Sequence, residues 1–207
     1  MAEVYVNDHP LVADGLTQLR DVATGSAEFR RIIARLTYVQ TNEALRDLKL
    51  KPVEVTTPLT TTQGQRLAER IAIVPILRAG LGMVDAMLEA MPDAEVRHLG
   101  FYRDEQTLQP VEYYHKLPSN DPPDVAVVVD PMLATGGSAN AAIEALKRWA
   151  VPRIKLMSIL GAPEGVAAVQ HAHPDVSIYV CTIDEKLNDH GYIMPGLGDA
   201  GDRIFGT

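Results

Sequence analysis

The sequence of 207 residues is poor in cysteine, because Cys181 is the only one it contains. A lone cysteine cannot form an intrachain disulfide or supply a cysteine-based metal cluster, so both are excluded. Cys181 lies in the apolar segment VSIYVCTI at residues 176–183, where we expect a buried core thiol rather than a nucleophile. Because chains without disulfides are typical of reducing compartments, we predict a cytoplasmic protein.

The sequence also lacks long apolar runs and an excess of positive charge. No apolar stretch approaches membrane-spanning length, and the first ten residues, MAEVYVNDHP, lack the basic and apolar regions of a signal peptide. Acidic residues outnumber basic ones by 27 to 19, which gives a formal net charge of -8. A protein whose main task is to grip nucleic acid carries a basic face. We therefore expect neither a membrane nor a nucleic acid as partner.

What the sequence does have is a regular alternation of apolar segments with helical patterns. Hydrophobic residues make up 46% of the chain, enough for one good-sized core, and we predict a single domain over residues 1–207. The apolar segments predicted as strands are residues 71–77, 96–102, 125–129, 154–160 and 176–183. Strands that alternate with helices predict an α/β fold with a doubly wound, mainly parallel sheet.

The segments before this core are predicted from their spacing. Apolar residues at three- and four-residue steps predict helices across residues 9–48, with a break at 24–26 and Ser26 as a cap. Arg30 and Arg31 are expected on a solvated face. Residues 51–59 alternate weakly and read as an edge segment that prolines limit.

The most informative stretch begins with the strand at residues 125–129, VAVVV. Asp130 follows at its carboxyl end, where open α/β sheets bind ligands. Thr135-Gly136-Gly137-Ser138 then leads into a predicted helix, with Ser138 as its N-cap and Ile143, Leu146 and Ala150 at helical spacing. Exposed N–H groups at a helix start, with glycines that permit close approach, form an anion site suited to phosphate.

Two common phosphate loops do not fit this stretch. A Walker A loop needs a Gly-Lys-Ser/Thr sequence, and no lysine follows Gly137. A dinucleotide fingerprint needs three spaced glycines, whereas Gly136 and Gly137 are adjacent. An ordinary strand-to-helix turn with convenient glycines stays open as the simplest alternative.

The stretch resembles the phosphoribosyl pyrophosphate (PRPP) motif of type I phosphoribosyltransferases, in which an apolar strand, an acidic pair and small residues precede Thr-Gly-Gly. Pro131 departs from the pattern, because the family usually has a second acid there. Residues 77–82, LRAGLG, resemble the family's pyrophosphate loop, and the guanidinium of Arg78 suits phosphate oxygens.

A charged excursion follows the predicted strand 96–102, where the family has a mobile flap. Arg103 looks like the family's second phosphate ligand. Tyr113 and Tyr114 are expected on a hairpin surface, and His115 is expected in solvent.

The tail at residues 190–207 reads HGYIMPGLGDAGDRIFGT. Its five glycines argue against a strand or a long helix, but its apolar residues argue for an ordered loop. It closely resembles the base-binding hood of the uracil-specific branch of the family, which separates this chain from the hypoxanthine, adenine and orotate branches.

The resemblance implies a type I fold, with a core at about residues 71–183 and a hood at about 184–207, and a reaction in which uracil and PRPP give UMP and pyrophosphate. It implies Asp130 and Asp199 as catalytic residues, and Ile193, Gly198, Asp199 and Ala200 as uracil contacts. The implied PRPP contacts are Arg78, Arg103, Asp130, Pro131, Met132, Leu133, Ala134, Thr135, Gly136, Gly137, Ser138 and Asp199.

The same resemblance implies Mg2+ carried with PRPP and without direct protein ligands, GTP as an effector, and a homo-oligomer. Two other classes are kept as alternatives. One is a PRPP-sensing regulatory protein with this fold, which needs a basic surface to bind RNA or DNA. The other is a Rossmann-type nucleotide-binding enzyme such as a methyltransferase.

Overall fold

The computed structural model describes residues 2–103, 110–115, 117–118 and 120–207, without the side chains of 102, 103, 110–112 and 115. Much of the predicted flap, including residues 104–109 and Lys116, lies outside the described residues, as do the side chains of Arg103 and His115. In chain order the described elements are β1 (Val4–Val6), α1 (Pro10–Arg20), α2 (Ser26–Ala44), β2 (Leu50–Thr56), β3 (Thr61–Leu67), β4 (Ile71–Leu77), α3 (Leu81–Ala90), β5 (Glu95–Val96), β6 (Leu99–Arg103), β7 (Pro110–His115), β8 (Val125–Val129), β9 (Met132–Leu133), α4 (Gly137–Arg148), β10 (Arg153–Gly161), α5 (Pro163–Ala172), β11 (Ser177–Ile183), β12 (Lys186–Leu187), β13 (Ile193–Met194) and α6 (Ala200–Phe205).

Within the described residues, one sheet runs in the order β1-β11-β10-β8-β4-β6-β7, with β5 beside β4 and β9 beside β10. The described strand pairs of this sheet are parallel except β6 with β7. Strand β8 lies between β4 and β10, in register with both, so Val129 is opposite Pro75 on one side and Met157 on the other. The predicted doubly wound, mainly parallel sheet is confirmed.

The central strand β8 is buried on both faces because helices cover both. Val125, Val127 and Val129 belong to the core formed with α1, α2 and α3. Ala126 and Val128 belong to the core formed with α4 and α5. An uninterrupted apolar strand is what a sheet with two covered faces requires.

The start of α4 differs from the prediction. The helix begins at Gly137, and its N-cap is Gly136 in the left-handed region at φ 81°, so the prediction of Ser138 as N-cap is wrong. A Cβ at position 136 would lie 3.0 Å from the carbonyl oxygen of Gly165, so this turn depends on glycine. At the other end, Ala150 is exposed at φ 62°, past the helix, and does not extend its apolar face.

The N-terminal helices are confirmed, but the prediction of Ser26 as a cap is wrong, because the N-cap of α2 is Gly25 and Ser26 is the first helical residue. The single strand predicted at residues 96–102 is wrong in one respect, since β5 and β6 pair separately with β4. Residues 50–56 do form a strand, but it pairs with β3 in a separate two-stranded ribbon rather than at the edge of the main sheet. The polar sequence of β3, TTQGQRL, gave no apolar pattern from which to predict it.

The C-terminal tail is ordered, as predicted, but it is not free of regular structure. A short ladder joins β12 to β13, and six residues form α6. Ile193, Leu197 and Ile204 are at most 4% exposed, which explains why the segment folds back on the core. Cys181 is buried in β11, and burial raises the pKa of its thiol to about 12, as expected of a core thiol. Within the described part of the chain, no helix has both the length and the apolar character needed to cross a bilayer.

Candidate active site

The loop that connects β8 to α4 forms the floor of a cavity at the carboxyl edge of the sheet. The hydroxyl of Thr135 accepts a hydrogen bond from the N–H of Gly137 at 3.5 Å, which closes the loop onto the helix start. The residues that line the cavity are Asp130, Met132, Leu133, Ala134, Thr135, Gly136, Gly137, Ser138, Ala139, Leu156 and Ser158. All but the last three were predicted as PRPP contacts, so the structure brings most of that set together.

Asp130 lies at the end of β8, and the pKa of its carboxyl group is raised. Burial raises the pKa of its carboxyl group, the N–H of Met132 opposes the shift by donating to Oδ1 at 3.2 Å, and the charge of Asp199 raises it further. The resulting pKa is about 7. A carboxyl group in a cleft whose pKa is shifted this far marks a candidate functional site.

A second cavity of about 370 Å³ lies between this loop and the C-terminal tail. It is lined by Asp130, Met132, Ala134 and Ser138 from the loop side and by Ile193, Gly198, Asp199, Ala200 and Gly201 from the tail, together with Ala79, His190, Gly191 and Tyr192. All four predicted uracil contacts therefore face the predicted PRPP loop. Ala79 lies in the predicted pyrophosphate loop, and His190–Tyr192 and Gly201 lie in the predicted hood, but the sequence did not single them out as individual contacts.

The backbone of the tail adopts conformations that favour glycine. Gly196 and Gly198 have φ of 62° and 81°. A Cβ at Gly196 would lie 2.1 Å from the carbonyl oxygen of Ile193, so the chain folds tightly on itself just before the cavity wall. Asp199 then caps α6 by accepting the N–H of Asp202 at 2.9 Å. The N–H of Ala200, first in the helix, precedes the first intrahelical bond and is not used by it.

The loop after β4 brings Arg78 to the same edge. Its guanidinium donates to Asp202 at 3.1 Å and lies 5.9 Å from the ring centroid of Phe205, so Arg78 contacts the tail across α6. The peptide bond between Leu77 and Arg78 is cis. A Cβ at Gly80 would lie 2.4 Å from the carbonyl oxygen of Val129. The loop is therefore packed directly on the end of β8, beside Asp130.

Two of the predicted PRPP contacts, Pro131 and Leu133, are buried, and the side chain of a third, Arg103, lies outside the described residues. The backbone of Arg103 ends β6 opposite Pro110, but its side chain lies outside the description, so its contact with PRPP stays a prediction. Pro131 is buried, and its carbonyl oxygen accepts the N–H groups of Ile159 and Leu160 at 3.1 and 2.9 Å. Leu133 lines the loop cavity from a buried position.

The tail is also held by an ion pair that the sequence did not predict. Both guanidinium nitrogens of Arg20 donate to Asp184, at 2.8 and 2.6 Å, and the N–H of Gly196 donates to Asp184 Oδ2 at 2.8 Å. Burial pushes the pKa of Asp184 upward, but Arg20 and the Gly196 N–H outweigh it, and the net pKa is lowered. Asp184 follows β11 directly, at the same sheet edge as Asp130, and that position was the signal available in the sequence.

Arg30 in α2 also binds the tail. Arg30 and Arg31 are both exposed, as predicted, but Arg30 also donates to the carbonyl oxygen of Ile204 at 2.7 Å, whereas Arg31 pairs with Glu28. The spacing of Arg30 on α2 did not reveal a partner 174 residues away. Among the described residues, no group of three or more His, Cys, Asp or Glu side chains is placed to hold a metal ion.

Comparisons with known proteins agree with this geometry. A family model of uracil phosphoribosyltransferases matches residues 6–207 of the chain. The chain is 54% identical over 208 aligned residues to the uracil phosphoribosyltransferase of Geobacillus kaustophilus and 56% identical to that of Finegoldia magna. In both cases the alignment covers 100% of each protein.

Solved structures give the same fold. The AQ2163 protein from Aquifex aeolicus aligns with 98% of this chain and 97% of its own, with a TM-score of 0.93 and 36% sequence identity. The adenine phosphoribosyl transferase of Trypanosoma brucei, solved with AMP, pyrophosphate and ribose-5-phosphate, aligns with 95% of this chain and 87% of its own, with a TM-score of 0.58. At 10% identity, that second likeness supports the fold alone.

Proposed function

The chain belongs to the uracil phosphoribosyltransferase family, and we propose that the cavity between the loop at residues 130–138 and the C-terminal tail is where its reaction takes place. The reaction transfers the phosphoribosyl group of PRPP to uracil and releases UMP and pyrophosphate. The observation that carries the assignment is that one cavity is lined by the predicted phosphate loop on one side and by the predicted base-binding segment on the other.

The 5′-phosphate of PRPP binds the loop at residues 135–138. The start of α4 presents backbone N–H groups there, and the helix dipole favours negative charge. Gly136 and Gly137 let the phosphate approach the backbone closely. The ribose hydroxyls donate to Asp130, whose ionised carboxylate accepts them at the end of β8.

The pyrophosphate end of PRPP binds Arg78, joined by Arg103. Arg78 already lies at the carboxyl edge of the sheet beside Asp130, and its exposed guanidinium pairs with Asp202 at 3.1 Å. A surface ion pair of this kind contributes little, so the diphosphate displaces Asp202 at low cost.

Mg2+ fits the donor set as an ion carried by PRPP. It prefers phosphate oxygens and water with one or two carboxylates, and Asp130 and Asp199 line the same cavity. When bound, the ion neutralises the charge that develops on the departing pyrophosphate.

Uracil is read mainly by the backbone of the tail. Gly198 and Ala200 line the cavity, and neither side chain can hydrogen-bond. Uracil presents two carbonyl acceptors with a ring N–H between them, a pattern that backbone N–H and C=O groups match. The N–H of Ala200, which has no partner within α6, is one such donor.

The chemical step forms a bond between C1′ and a uracil ring nitrogen while the bond from C1′ to pyrophosphate breaks. Such displacements pass through an oxocarbenium-like state. The residues act by holding the donor and aiming the base, since orientation alone removes much of the barrier. The ring nitrogen loses its proton, and we assign its acceptor to Asp199, which lines the base side of the cavity.

Product analysis tests this function directly. The protein is incubated with PRPP, Mg2+ and one of uracil, cytosine, hypoxanthine or adenine, and nucleotide products are separated by chromatography. We expect UMP with uracil and no nucleotide with the purines. Formation of IMP or AMP without UMP would overturn the assignment of base.

We further propose one domain over residues 1–207, a cytoplasmic location and a homo-oligomer. The ribbon formed by β2 and β3 supports the oligomer, because it is largely exposed and carries Leu50, Val55, Leu59 and Leu67 at 41% exposure or more. A second copy of the chain would cover these side chains. Light scattering of the wild type and of Leu59→Asp tests this contact. If the two proteins have the same mass in solution, the ribbon has no role in the oligomer.

GTP as an effector rests on the family resemblance stated above. Initial rates measured with and without GTP at subsaturating PRPP test it. If the rate is the same with and without GTP, GTP is not an effector of this protein.

A further inference from the structure

The backbone just before the uracil-reading residues is held by charged side chains. The carbonyl oxygen of Gly196 accepts a hydrogen bond from Arg20 at 2.8 Å, and its N–H donates to Asp184 at 2.8 Å. The next carbonyl, that of Leu197, accepts from Arg203 Nη1 at 2.8 Å. Gly198, which lines the cavity, follows immediately.

Arg203 does more than contact Leu197. Its Nη1 also donates to the carbonyl oxygen of Leu19, and its Nη2 donates to those of Asp21 and Thr24 at 2.7 and 3.3 Å. The carbonyl of Leu19 belongs to the last turn of α1, where carbonyls have no partner within the helix. One guanidinium thus joins the end of α1 and the turn after it to the tail.

The environment of Arg203 favours a fixed side chain. Its guanidinium carbon lies 4.4 Å from the ring centroid of Phe29, which is buried in α2. The described hydrogen bonds of Arg203 all go to backbone carbonyls, and burial lowers its pKa. A planar fork that serves four carbonyls at once has a geometry that a flexible ammonium cannot reproduce.

We propose that Arg203 is a positioning residue for uracil, which holds the Leu197–Gly198 backbone in the conformation that reads the base by tying it to the end of α1. The inference rests on the proposed binding of uracil by Gly198 and Ala200. Arg203 does not line the cavity, so it acts through the backbone and not by touching substrate.

The physical need for such a residue comes from the glycines. Gly196 and Gly198 flank Leu197, and glycine has more backbone freedom to lose than any other residue. Without external bonds, the segment would sample conformations in which its polar groups do not match uracil. Fixing it in advance removes that cost from binding, and the benefit falls on uracil rather than on PRPP.

The test is a steady-state comparison of Arg203→Met and Arg203→Lys with the wild type. Methionine keeps an unbranched apolar stem and removes every hydrogen bond, while lysine keeps the charge and serves fewer carbonyls. We expect Arg203→Met to raise the KM for uracil by about tenfold or more, with the KM for PRPP changed by less than about threefold. Arg203→Lys should lie between Arg203→Met and the wild type. Equal KM for uracil in all three proteins would overturn the inference.

Arg30→Met separates positioning from a general loss of stability. Arg30 also ties the tail to the N-terminal helices, but at Ile204, beyond the base-reading residues. We expect it to lower Tm without raising the KM for uracil. A matching rise in KM for Arg30→Met and Arg203→Met would make the effect one of stability and overturn the inference. Arg46→Met, which removes an exposed pair with Glu43, serves as the control for the substitution itself.

Two further measurements keep the outcomes distinct. If Arg203→Met does not fold, Arg203→Lys carries the test, because a KM for uracil equal to that of the wild type would then overturn the inference. Gly198→Val tests the proposed function separately. If Gly198→Val leaves the KM for uracil unchanged, the proposed site fails. If it raises that KM while the Arg203 variants do not, only the positioning role fails.

Discussion

Asp130 and Asp199 line one cavity, and the negative charge of Asp199 adds to the burial that brings the pKa of Asp130 to about 7. The two residues are far apart in sequence and come from opposite sides of the cavity, one from the end of β8 and one from the tail. Their coupling means that the tail contributes, after burial, to the protonation state of the phosphoribosyl side of the site. It also gives the site a dependence on pH that can be measured.

The first prediction concerns activity as a function of pH. Asp130 must be ionised to accept the ribose hydroxyls, so kcat/KM for PRPP should fall by about tenfold per unit below pH 7. Asp199→Asn keeps a good N-cap for α6 but removes the charge and the proposed proton acceptor, so it should lower kcat/KM at every pH and also move this limb to lower pH. The measurement is the pH profile of kcat/KM for PRPP in both proteins. The ionisation of PRPP is the same in the two experiments. An identical position of the limb in the wild type and in Asp199→Asn would therefore contradict the coupling between Asp130 and Asp199.

The second prediction concerns stability at the same residue. The pKa of Asp130 is about 7 when folded, against about 3.9 for an unfolded aspartate. The folded state therefore binds more protons between these values, and stability falls as the pH rises through that window. Asp130→Asn should thus raise Tm by a few degrees at pH 8, and by less at pH 4, while most activity is lost. Thermal unfolding at both pH values checks it, and a Tm below that of the wild type at pH 8 would contradict it.

Some features of the fold and of the site could be predicted from the local sequence, and others could not. The strand Val125–Val129 and the position of Asp130 were predictable, because an unbroken apolar run indicates a strand buried between two covered faces. The order of the tail followed from its apolar side chains. The partners of Arg20 and Arg203 were not predictable. Arg20 binds Asp184, which is 164 residues away in the sequence, and local periodicity carries no information about such distant pairs. The pKa of Asp130 likewise depends on what surrounds it in three dimensions.

The third prediction concerns the ion pair of Asp184 with Arg20. The folded pKa of Asp184 is lowered, so its stabilising contribution is fully present above about pH 4 and is lost as the pH falls through the folded value. Asp184→Asn should cost about 3 kcal/mol at pH 7, because the buried carboxylate loses its charge while Arg20 stays partly buried. Urea unfolding measures this, and the difference from wild type should shrink below about pH 4. Asp175→Asn, at an exposed pair with Lys147, is the control and should cost less than about 1 kcal/mol.

The fourth prediction concerns the turn that opens the phosphate loop onto α4. Gly136→Ala places a Cβ on a residue at φ 81° and 3.0 Å from the carbonyl oxygen of Gly165. The loop must shift, and we expect the affinity for PRPP measured by calorimetry to fall by about tenfold or more. Gly25→Ala is a matched control, since no atom lies within 4 Å of its added Cβ and its φ is -70°. Equal affinities in both variants would remove the loop from the PRPP site.

The last prediction concerns the choice between uracil and cytosine. Cytosine replaces one carbonyl of uracil by an amino group and the ring donor by an acceptor, so it reverses the pattern at two positions. A site that leaves its own polar groups unpaired with the wrong substrate discriminates by roughly four orders of magnitude. Ala200→Val adds bulk at a position that is 2% exposed beside the cavity, and Gly198→Val strains a residue at φ 81°. Both variants should raise the KM for uracil more than that for PRPP, which steady-state kinetics with each substrate varied in turn will measure. Comparable kcat/KM for cytosine and uracil in the wild type would show that the backbone of the tail does not read the base.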